Sequence, residues 1–272
     1  MLLRFHTPSF PLSNAVELFT YYRDLIQEHT IERLMPDGAA HLIIELDDIP
    51  KFTFHNETLE VKEKYSGGWI SGMQKEFISI SAEVHSSMFV IRFTPTGLFQ
   101  LLGVSMDELR DQVFDAELFF GSSIRTLRDQ LLEAPTPECK FKAVSNWLSE
   151  KMISNQQINP VVNFAIDHIT KNPSLDQVGR LSQITGYSQK QLIHLFKTHL
   201  GLTPKYFQRI MRFNLVLKEL DQTSRINWTA LSQQCGFYDQ AHFIREFQKF
   251  SGFNPTEFLN TEREYKNYVV VA

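Results

Sequence analysis

Three histidines, His41, His55 and His85, are the residues of the first half of the sequence best suited to hold a metal ion. They lie on separate predicted segments, and no HxH, HExxH or paired-cysteine spacing accompanies them. A serine nucleophile would need a GxSxG turn, which the sequence lacks. Cys139 and Cys235 are too few for a zinc-binding or nucleophilic cysteine set. We therefore predict no catalytic residue, no metal and no cofactor, and keep a metal-dependent enzyme as the least favoured alternative.

The clearest pattern is an internal repeat between residues 178 and 258. The second copy follows the first at an offset of 50 residues in its first half and 51 in its second. A repeat kept over nine positions indicates one supersecondary unit built twice. The matching positions are Leu181, Ser182, Gly186, Tyr187, Leu192, Phe196, Gly201, Pro204 and Phe207 in the first copy, and Leu231, Ser232, Gly236, Phe237, Phe243, Phe247, Gly252, Pro255 and Phe258 in the second.

Each copy predicts a helix, a tight turn and a second helix. Gly186 and Gly236 stand where the chain needs a positive φ, which glycine adopts at little cost. Ser188 and Gln191 have the spacing of a capping box, and Asp239 takes the equivalent N-cap in the second copy. This is the pattern of a helix-turn-helix, whose second helix enters the major groove of DNA.

The stretches GFYDQAHFIREFQKFSGFNPTEF and GYSQKQLIHLFKTHLGLTPKYF resemble the paired motifs of the AraC/XylS family of bacterial transcription regulators. The resemblance covers about residues 160–260. It implies two helix-turn-helix subdomains joined by a long helix, here residues 204–221. Val216 departs from the family pattern, which has a small alanine at this position.

The resemblance also implies which side chains face DNA. Glutamine pairs with adenine, arginine with guanine, and isoleucine contacts a thymine methyl group. His194 stands where the family has arginine, which predicts a weaker or pH-sensitive contact. The two helices are expected to enter successive major grooves about 34 Å apart. The implied contacts are Gln189, Lys190, Ile193, His194 and, at a phosphate, Lys197; in the second motif they are Gln240, Ala241, Ile244 and Arg245, with Asp239 as a cap or phosphate contact.

Charge is divided unevenly along the 272 residues. The whole chain carries a net charge of −4, with 43% hydrophobic and 21% charged residues, which is typical of a globular protein. Residues 160–260 hold 11 Lys or Arg against 7 Asp or Glu, a net +4, while the remainder carries −8. We expect moderate, strongly salt-dependent affinity for duplex DNA from the C-terminal part.

The sequence of the N-terminal part predicts a helix first, then a series of strands, and then helices again. Residues 13–27 predict an opening helix, and short segments rich in Ile, Val, Phe and Thr then predict strands. Helices resume at Thr94-Pro95, and Ser105 to Glu108 predicts a capping box that opens another helix. The predicted strands are 31–34, 40–46, 51–55, 59–64, 67–71, 76–83 and 86–93, and the later helices are 122–133, 137–152 and 160–171.

The fold class follows as α+β. We expect a small antiparallel, β-rich, cupin-like domain with trailing helices at residues 1–153 and a linker at 154–159. An all-α domain of two helix-turn-helix subdomains joined by a long helix follows at 160–260, with a C-terminal tail at 261–272.

Residues 4–150 also resemble the sensor-type domain found in one branch of the AraC family, through ERLMPDGAAHLIIEL, WISG and FVIRFTPTGLFQLLGVSMDEL. This implies a regulatory role. A ligand would be sought at Arg33, Asp37 and His41 around the Pro-Asp-Gly turn and at Trp69, although aromatic strands are equally typical of an ordinary core. A small-molecule-binding domain and a vestigial one both stay open.

The expected partners follow from these assignments. They are double-stranded DNA and RNA polymerase, with a small-molecule effector and a homodimer left open. No apolar run approaches the roughly 20 residues needed to span a bilayer, so no membrane partner is expected. The N-terminus lacks the pattern of a secretory signal, and the cysteines form no disulfide framework. A cytoplasmic location is expected.

Overall fold

The computed structural model describes residues 2–25, 30–152, 158–174, 178–222, 226–261 and 268–271. The strands are β1 (Leu2–His6), β2 (Val16–Leu25), β3 (Ile31–Leu34), β4 (His41–Glu45), β5 (Lys51–Phe54), β6 (Val61–Tyr65), β7 (Gly68–Ser71), β8 (Ile78–Ser81), β9 (Ser86–Phe93), β10 (Val113–Asp115) and β11 (Tyr268–Val270). The helices are α1 (Gly97–Leu102), α2 (Glu117–Phe120), α3 (Ser123–Glu133), α4 (Pro137–Lys151), α5 (Pro160–Lys171), α6 (Val178–Thr185), α7 (Gln189–Leu200), α8 (Pro204–Gln222), α9 (Trp228–Gln234), α10 (Gln240–Ser251) and α11 (Pro255–Leu259).

The N-terminal part is built from two antiparallel sheets in the described residues. One sheet has the order β1-β2-β9-β4-β7-β10 and the other β11-β3-β8-β5-β6. Their inner faces meet around a narrow interior, and α1 to α4 complete the core of the first sheet. The described residues from 160 to 259 form α5 to α11 and contain no strand, so the predicted fold class, β-rich first and all-α second, is confirmed.

The predicted helix at 13–27 is wrong, because residues 16–25 form β2, which pairs with both β1 and β9. Phe19 and Tyr21 are buried, while Thr20 and Tyr22 are only partly buried, which is the two-residue period of a strand. The run Phe-Thr-Tyr-Tyr at its centre consists of residue types that favour sheets. The backbone of this segment hydrogen-bonds to a strand on each side, and this pairing fixes it as a strand.

The capping box predicted at Ser105 opens no helix. Residues 106–111 form successive turns with bonds of the i to i+3 type, from Glu108 N–H to Ser105 O and from Leu109 N–H to Met106 O. Asp111 has a left-handed φ of 59°, which stops any helix there. The Met106 N–H instead donates to the carbonyl of Thr198 in α7, at 2.9 Å. A tertiary contact thus replaces the local helix.

The long helix α8 is the centre of the C-terminal core. It packs against α5, α6, α7, α9 and α10. The buried side chains around it include Met35 and Met73 of the β-rich part and Val269 of β11. Met211 of α8 also lies against Gly38, where an added Cβ would overlap the methionine methyl group. The two parts of the chain therefore share one apolar core.

The end of the chain returns to the β-rich part. Residues 268–270, within the predicted tail 261–272, pair antiparallel with β3, and Val269 is fully buried. The predicted linker at 154–159 lies outside the described residues except for Ile158 and Asn159. Asn159 caps α5 by accepting from the N–H of Val161 at 3.0 Å. Within the described ranges, no helix is long and apolar enough to cross a membrane.

We expect Phe247→Ala to lower the free energy of unfolding by about 3–5 kcal/mol, because it leaves a cavity in a close-packed aromatic cluster. The Phe247 ring contacts the rings of Phe213 and Phe258, with centroids 5.4 and 5.0 Å away. Urea denaturation measures the change. Phe10→Ala, at a ring 78% exposed, is the matched control and should leave stability nearly unchanged.

Candidate nucleic-acid interface

The first helix-turn-helix has the predicted capping geometry. α6 ends at Thr185, and Gly186 follows with a φ of 75°. The Ser188 hydroxyl accepts from the N–H of Gln191 at 3.3 Å, and the Gln191 side chain accepts from the N–H of Ser188 at 2.9 Å. This reciprocal capping box sets where α7 begins, so that Gln189 is its first residue.

The second motif uses a single strong cap. Gly236 has a φ of 78°, and an added Cβ would overlap the carbonyl oxygen of Ser174. Asp239 accepts from the N–H of His242 at 2.6 Å and so starts α10. An acidic N-cap satisfies an orphan backbone N–H and complements the positive end of the helix dipole. The structure thus places Asp239 as a cap.

The side chains predicted to read DNA lie on the outer faces of α7 and α10. Both helices are amphipathic, with an inner stripe that includes Leu192 and Phe196 in α7 and Phe243 and Phe247 in α10. Ile193 and Ile244, at the same position of the two copies, are 41% and 37% exposed. An apolar side chain repeated on an outer face suits a thymine methyl contact. The exposed residues are Gln189, Lys190, Ile193 and His194 in α7, and Gln240, Ala241, Ile244 and Arg245 in α10.

A salt bridge ties the connecting helix to the second motif. Arg209 of α8 donates to both carboxylate oxygens of Glu246 in α10, at 2.6 and 2.7 Å. Its guanidinium group also stacks over the Tyr206 ring at 4.4 Å. A two-pronged contact of this kind fixes orientation as well as distance. It restrains α10 relative to α8, and α8 also packs on α7.

Two lysines near the ends of these helices form ion pairs with the β-rich part. Lys197, predicted as a phosphate contact, lies 3.6 Å from Asp107. Lys249, which the sequence reasoning did not select, lies 3.1 Å from Glu76. Lys249 follows Arg245 by four residues, one helical turn, so helical spacing from the reading positions could have indicated it.

The residues predicted to bind a ligand separate into two groups. Arg33 lies between the rings of Phe77 and Phe253, and its guanidinium group donates to the Gly252 carbonyl at 3.1 Å. His41 and Trp69 line the interior between the two sheets.

Asp37 belongs to a buried ionic cluster beside the interior. It accepts from Arg92 at 2.6 Å and lies 3.3 Å from the His41 ring nitrogen. Burial alone would raise the pKa of Asp37, but the contacts with His41 and Arg92 outweigh it and hold the pKa below its usual range. Asp37 therefore has a structural ion pair in place.

The interior between the sheets holds a cavity of about 50 Å³. Its lining includes two buried polar atoms without a hydrogen-bond partner in the described part of the chain, Lys51 Nζ and Ser86 Oγ. The Lys51 ammonium is 3.5 Å from Asp47. Buried polar atoms are nearly always hydrogen-bonded, so these two atoms, one from each sheet, point to a polar group that the cavity could hold.

Beside this cavity lies the buried carboxyl of Glu45. It accepts from the indole N–H of Trp69 at 2.9 Å and from the N–H of Gly67 at 3.1 Å. Burial raises the pKa of Glu45 to about 7, although both hydrogen bonds act to lower it.

Residues suited to metal or thiol chemistry do not converge. Among the described residues, no group of three or more His, Cys, Asp or Glu is placed to hold a metal ion. Cys235 is a buried free thiol, and burial raises its pKa to about 11. A thiol with so high a pKa is a poor nucleophile at neutral pH.

Residues 181–261 match the family described as "Helix-turn-helix domain". The C-terminal part of the chain is an AraC-type helix-turn-helix domain. Residues 4–115 match a family described as "Domain of unknown function (DUF6597)".

The chain is similar to curated transcription regulators over part of its length. "Probable transcriptional regulator LumQ" of Photobacterium leiognathi is 28% identical over 58% of this chain and 58% of its own. "Arabinose operon regulatory protein" of Escherichia coli is 27% identical over 48% of this chain and 44% of its own. The chain thus spans less than two thirds of the length of these relatives. In fold, ToxT from Vibrio cholerae has a TM-score of 0.50 at 11% identity, covering 89% of this chain and 97% of its own.

We expect Glu45→Gln to flatten the pH dependence of stability. The folded-state pKa lies above the ordinary value of 4.5, so this group stabilises the fold fully below pH 4.5 and loses that contribution as pH rises through about 7. From about pH 5 to 8, wild type should lose on the order of 1–3 kcal/mol relative to the variant. Urea unfolding monitored by tryptophan fluorescence tests this, and parallel pH profiles would contradict it.

Proposed function

We propose that the chain is a sequence-specific transcription regulator that binds duplex DNA through residues 160–260, under the control of residues 1–153. One observation carries this proposal: α7 and α10 occupy equivalent places in a duplicated motif, both expose their reading faces, and α8 packs against both. Two helices held in this way on one chain suit successive major grooves, about 34 Å apart, on one face of DNA. A single chain then reads an asymmetric site.

The exposed side chains divide into base-reading and phosphate-binding groups. Gln189 and Gln240 begin the two helices and suit adenine, while Arg245 suits guanine. Lys190 suits a base edge, and Lys197 suits a phosphate, a contact that positions the protein without specifying sequence. His194 replaces an arginine in the first motif, so the second motif contributes the stronger guanine contact.

The charge distribution supports a salt-dependent interaction. Residues 160–260 carry a net +4 within a chain of net −4. Each phosphate neutralised adds about 0.9 to the slope of log K against log salt concentration. RNA polymerase is the partner that a regulator bound near a promoter would contact, and we propose it on that ground alone.

We expect Arg245→Ala to weaken specific DNA binding by about 1–3 kcal/mol, because one bidentate base contact is lost. The binding site is first selected from random duplexes with the wild-type chain, and affinity is then measured by mobility shift. Arg23→Ala is the matched control, since Arg23 is an exposed arginine of the β-rich part with a side chain 61% accessible. Equal affinity of Arg245→Ala and wild type for the selected site would contradict the assignment.

A second function, effector binding between the sheets, is favoured by Lys51 Nζ and Ser86 Oγ. Both atoms face the cavity and lack a hydrogen-bond partner in the described part of the chain. An anionic oxygen there would accept from the Lys51 ammonium and the Ser86 hydroxyl. Glu83 lines the same cavity and favours a ligand that also carries a hydroxyl or ammonium donor. The volume suits roughly three to five water-sized groups. We propose a small hydroxy acid or amino acid as the ligand class.

We expect lactate or alanine at saturating concentration to raise the thermal unfolding midpoint of wild type by a few degrees, since a ligand that binds only the folded state stabilises it. Lys51→Met should abolish that rise, because it removes the ammonium and keeps the volume. Glu57→Gln, at an exposed carboxylate outside the cavity lining, is the control. An equal rise in Lys51→Met, or none in wild type with either compound, would exclude this site.

A further inference from the structure

The two recognition helices end in the same way. Each stops at a glycine with a left-handed φ, 81° at Gly201 and 76° at Gly252. The last carbonyl groups of a helix lack partners within it and carry the negative end of the helix dipole. In this chain, the β-rich part contacts both ends.

The end of α7 is held by the loop that replaces the predicted helix after Ser105. Arg110 donates to the carbonyl of Gly201 at 3.3 Å. Asp107, which also pairs with Arg110, lies 3.6 Å from Lys197. A Cβ added at Gly201 would stand 2.6 Å from the carbonyl oxygen of Met106. Glycine is therefore needed both for its φ and for this close approach.

The end of α10 is held by strand β3 and by the segment between β7 and β8, with the same chemistry. Arg33 donates to the carbonyl of Gly252 at 3.1 Å. Glu76 lies 3.1 Å from Lys249. A Cβ added at Gly252 would stand 2.5 Å from the Arg33 guanidinium group. Each helix thus receives an arginine on its terminal carbonyl and a carboxylate on its last-turn lysine.

Both lysines lie on the side of the helix that reads DNA. Lys197 is one turn beyond Ile193, and Lys249 is one turn beyond Arg245. A lysine so placed is within reach of a phosphate flanking the bases that the helix contacts. In the docked arrangement each ammonium is paired with a carboxylate, and that negative charge also repels phosphate.

We propose that the β-rich part holds both recognition helices at their C-terminal ends, and that Asp107 and Glu76 withhold Lys197 and Lys249 from DNA phosphates. The docked arrangement then binds duplex DNA more weakly than the free lysines allow. This rests on the proposed function, because it assumes that α7 and α10 face DNA. A signal that loosens the docking releases two phosphate contacts at once, one for each major groove.

The strength of each ion pair suits a contact that can be released. The four side chains are partly exposed, from 35% to 48%. Exposed ion pairs contribute little to stability, so exchanging them for phosphate contacts costs little free energy. Other charges nearby belong to the same network: Asp111 lies 3.2 Å from Arg110 and 3.1 Å from Lys75.

The test uses the full chain and a duplex selected with wild type. Asp107→Asn combined with Glu76→Gln should tighten binding about two- to tenfold. The slope of log K against log salt should steepen by up to about 2, one phosphate contact for each lysine. The control, Asp48→Asn with Glu117→Gln, removes the same charge from carboxylates that pair with Arg128 and Arg125 instead. It should leave affinity and slope close to wild type.

A second arm separates lysine release from a general change in charge. With Lys197→Ala and Lys249→Ala already present, neutralising Asp107 and Glu76 should have no further effect on affinity or slope. Each single variant is also measured, so that one misfolded protein does not remove the test. Unchanged binding in the neutralised variants, or an equal gain in the lysine-free background, overturns this proposal alone. Failure of wild type to select any duplex overturns the proposed function.

Discussion

Burial of the long helix α8 is the constraint on which the other contacts depend. Its inner face carries Phe213, packed against the rings of Phe247 and Phe250, while Met211 lies against Gly38 of the β-rich part. An aromatic cluster of this density tolerates little displacement, because each ring fills space that its neighbours cannot. The position of α8 therefore sets where both motifs lie and where the β-rich part docks.

The two motifs are copies in their cores and differ on their surfaces. Leu192 and Phe243 are equivalent and buried, as are Phe196 and Phe247, so the same packing forms twice. On the outer faces, α7 has Lys190 at the position where α10 has Ala241. Core positions are restricted by packing, whereas exposed positions are not restricted in this way. This explains how one unit, duplicated, can present two different outer surfaces.

The β-rich part meets the helical part with loops that begin at the wall of its own cavity. Trp69 and Ser71 of β7 line the cavity, and the chain continues directly into the segment that carries Met73 and Glu76. Met73 enters the shared apolar core and Glu76 pairs with Lys249. The cavity is thus a few residues along the chain from the contact with α10, through a strand that is hydrogen-bonded on both sides.

The duplicated motif was predictable because its signals are local: Gly186 ends a helix, Ser188 and Gln191 cap the next, and their spacing needs no distant partner. Strand β2 was predicted as a helix because its apolar positions fit both periods, and only pairing with β1 and β9 decides between them. The docking contacts were beyond prediction, since Arg33 and Gly252 are 219 positions apart in the sequence. Local chemistry determines where helices start and stop. Which charges meet across the two parts is decided by the packing around α8.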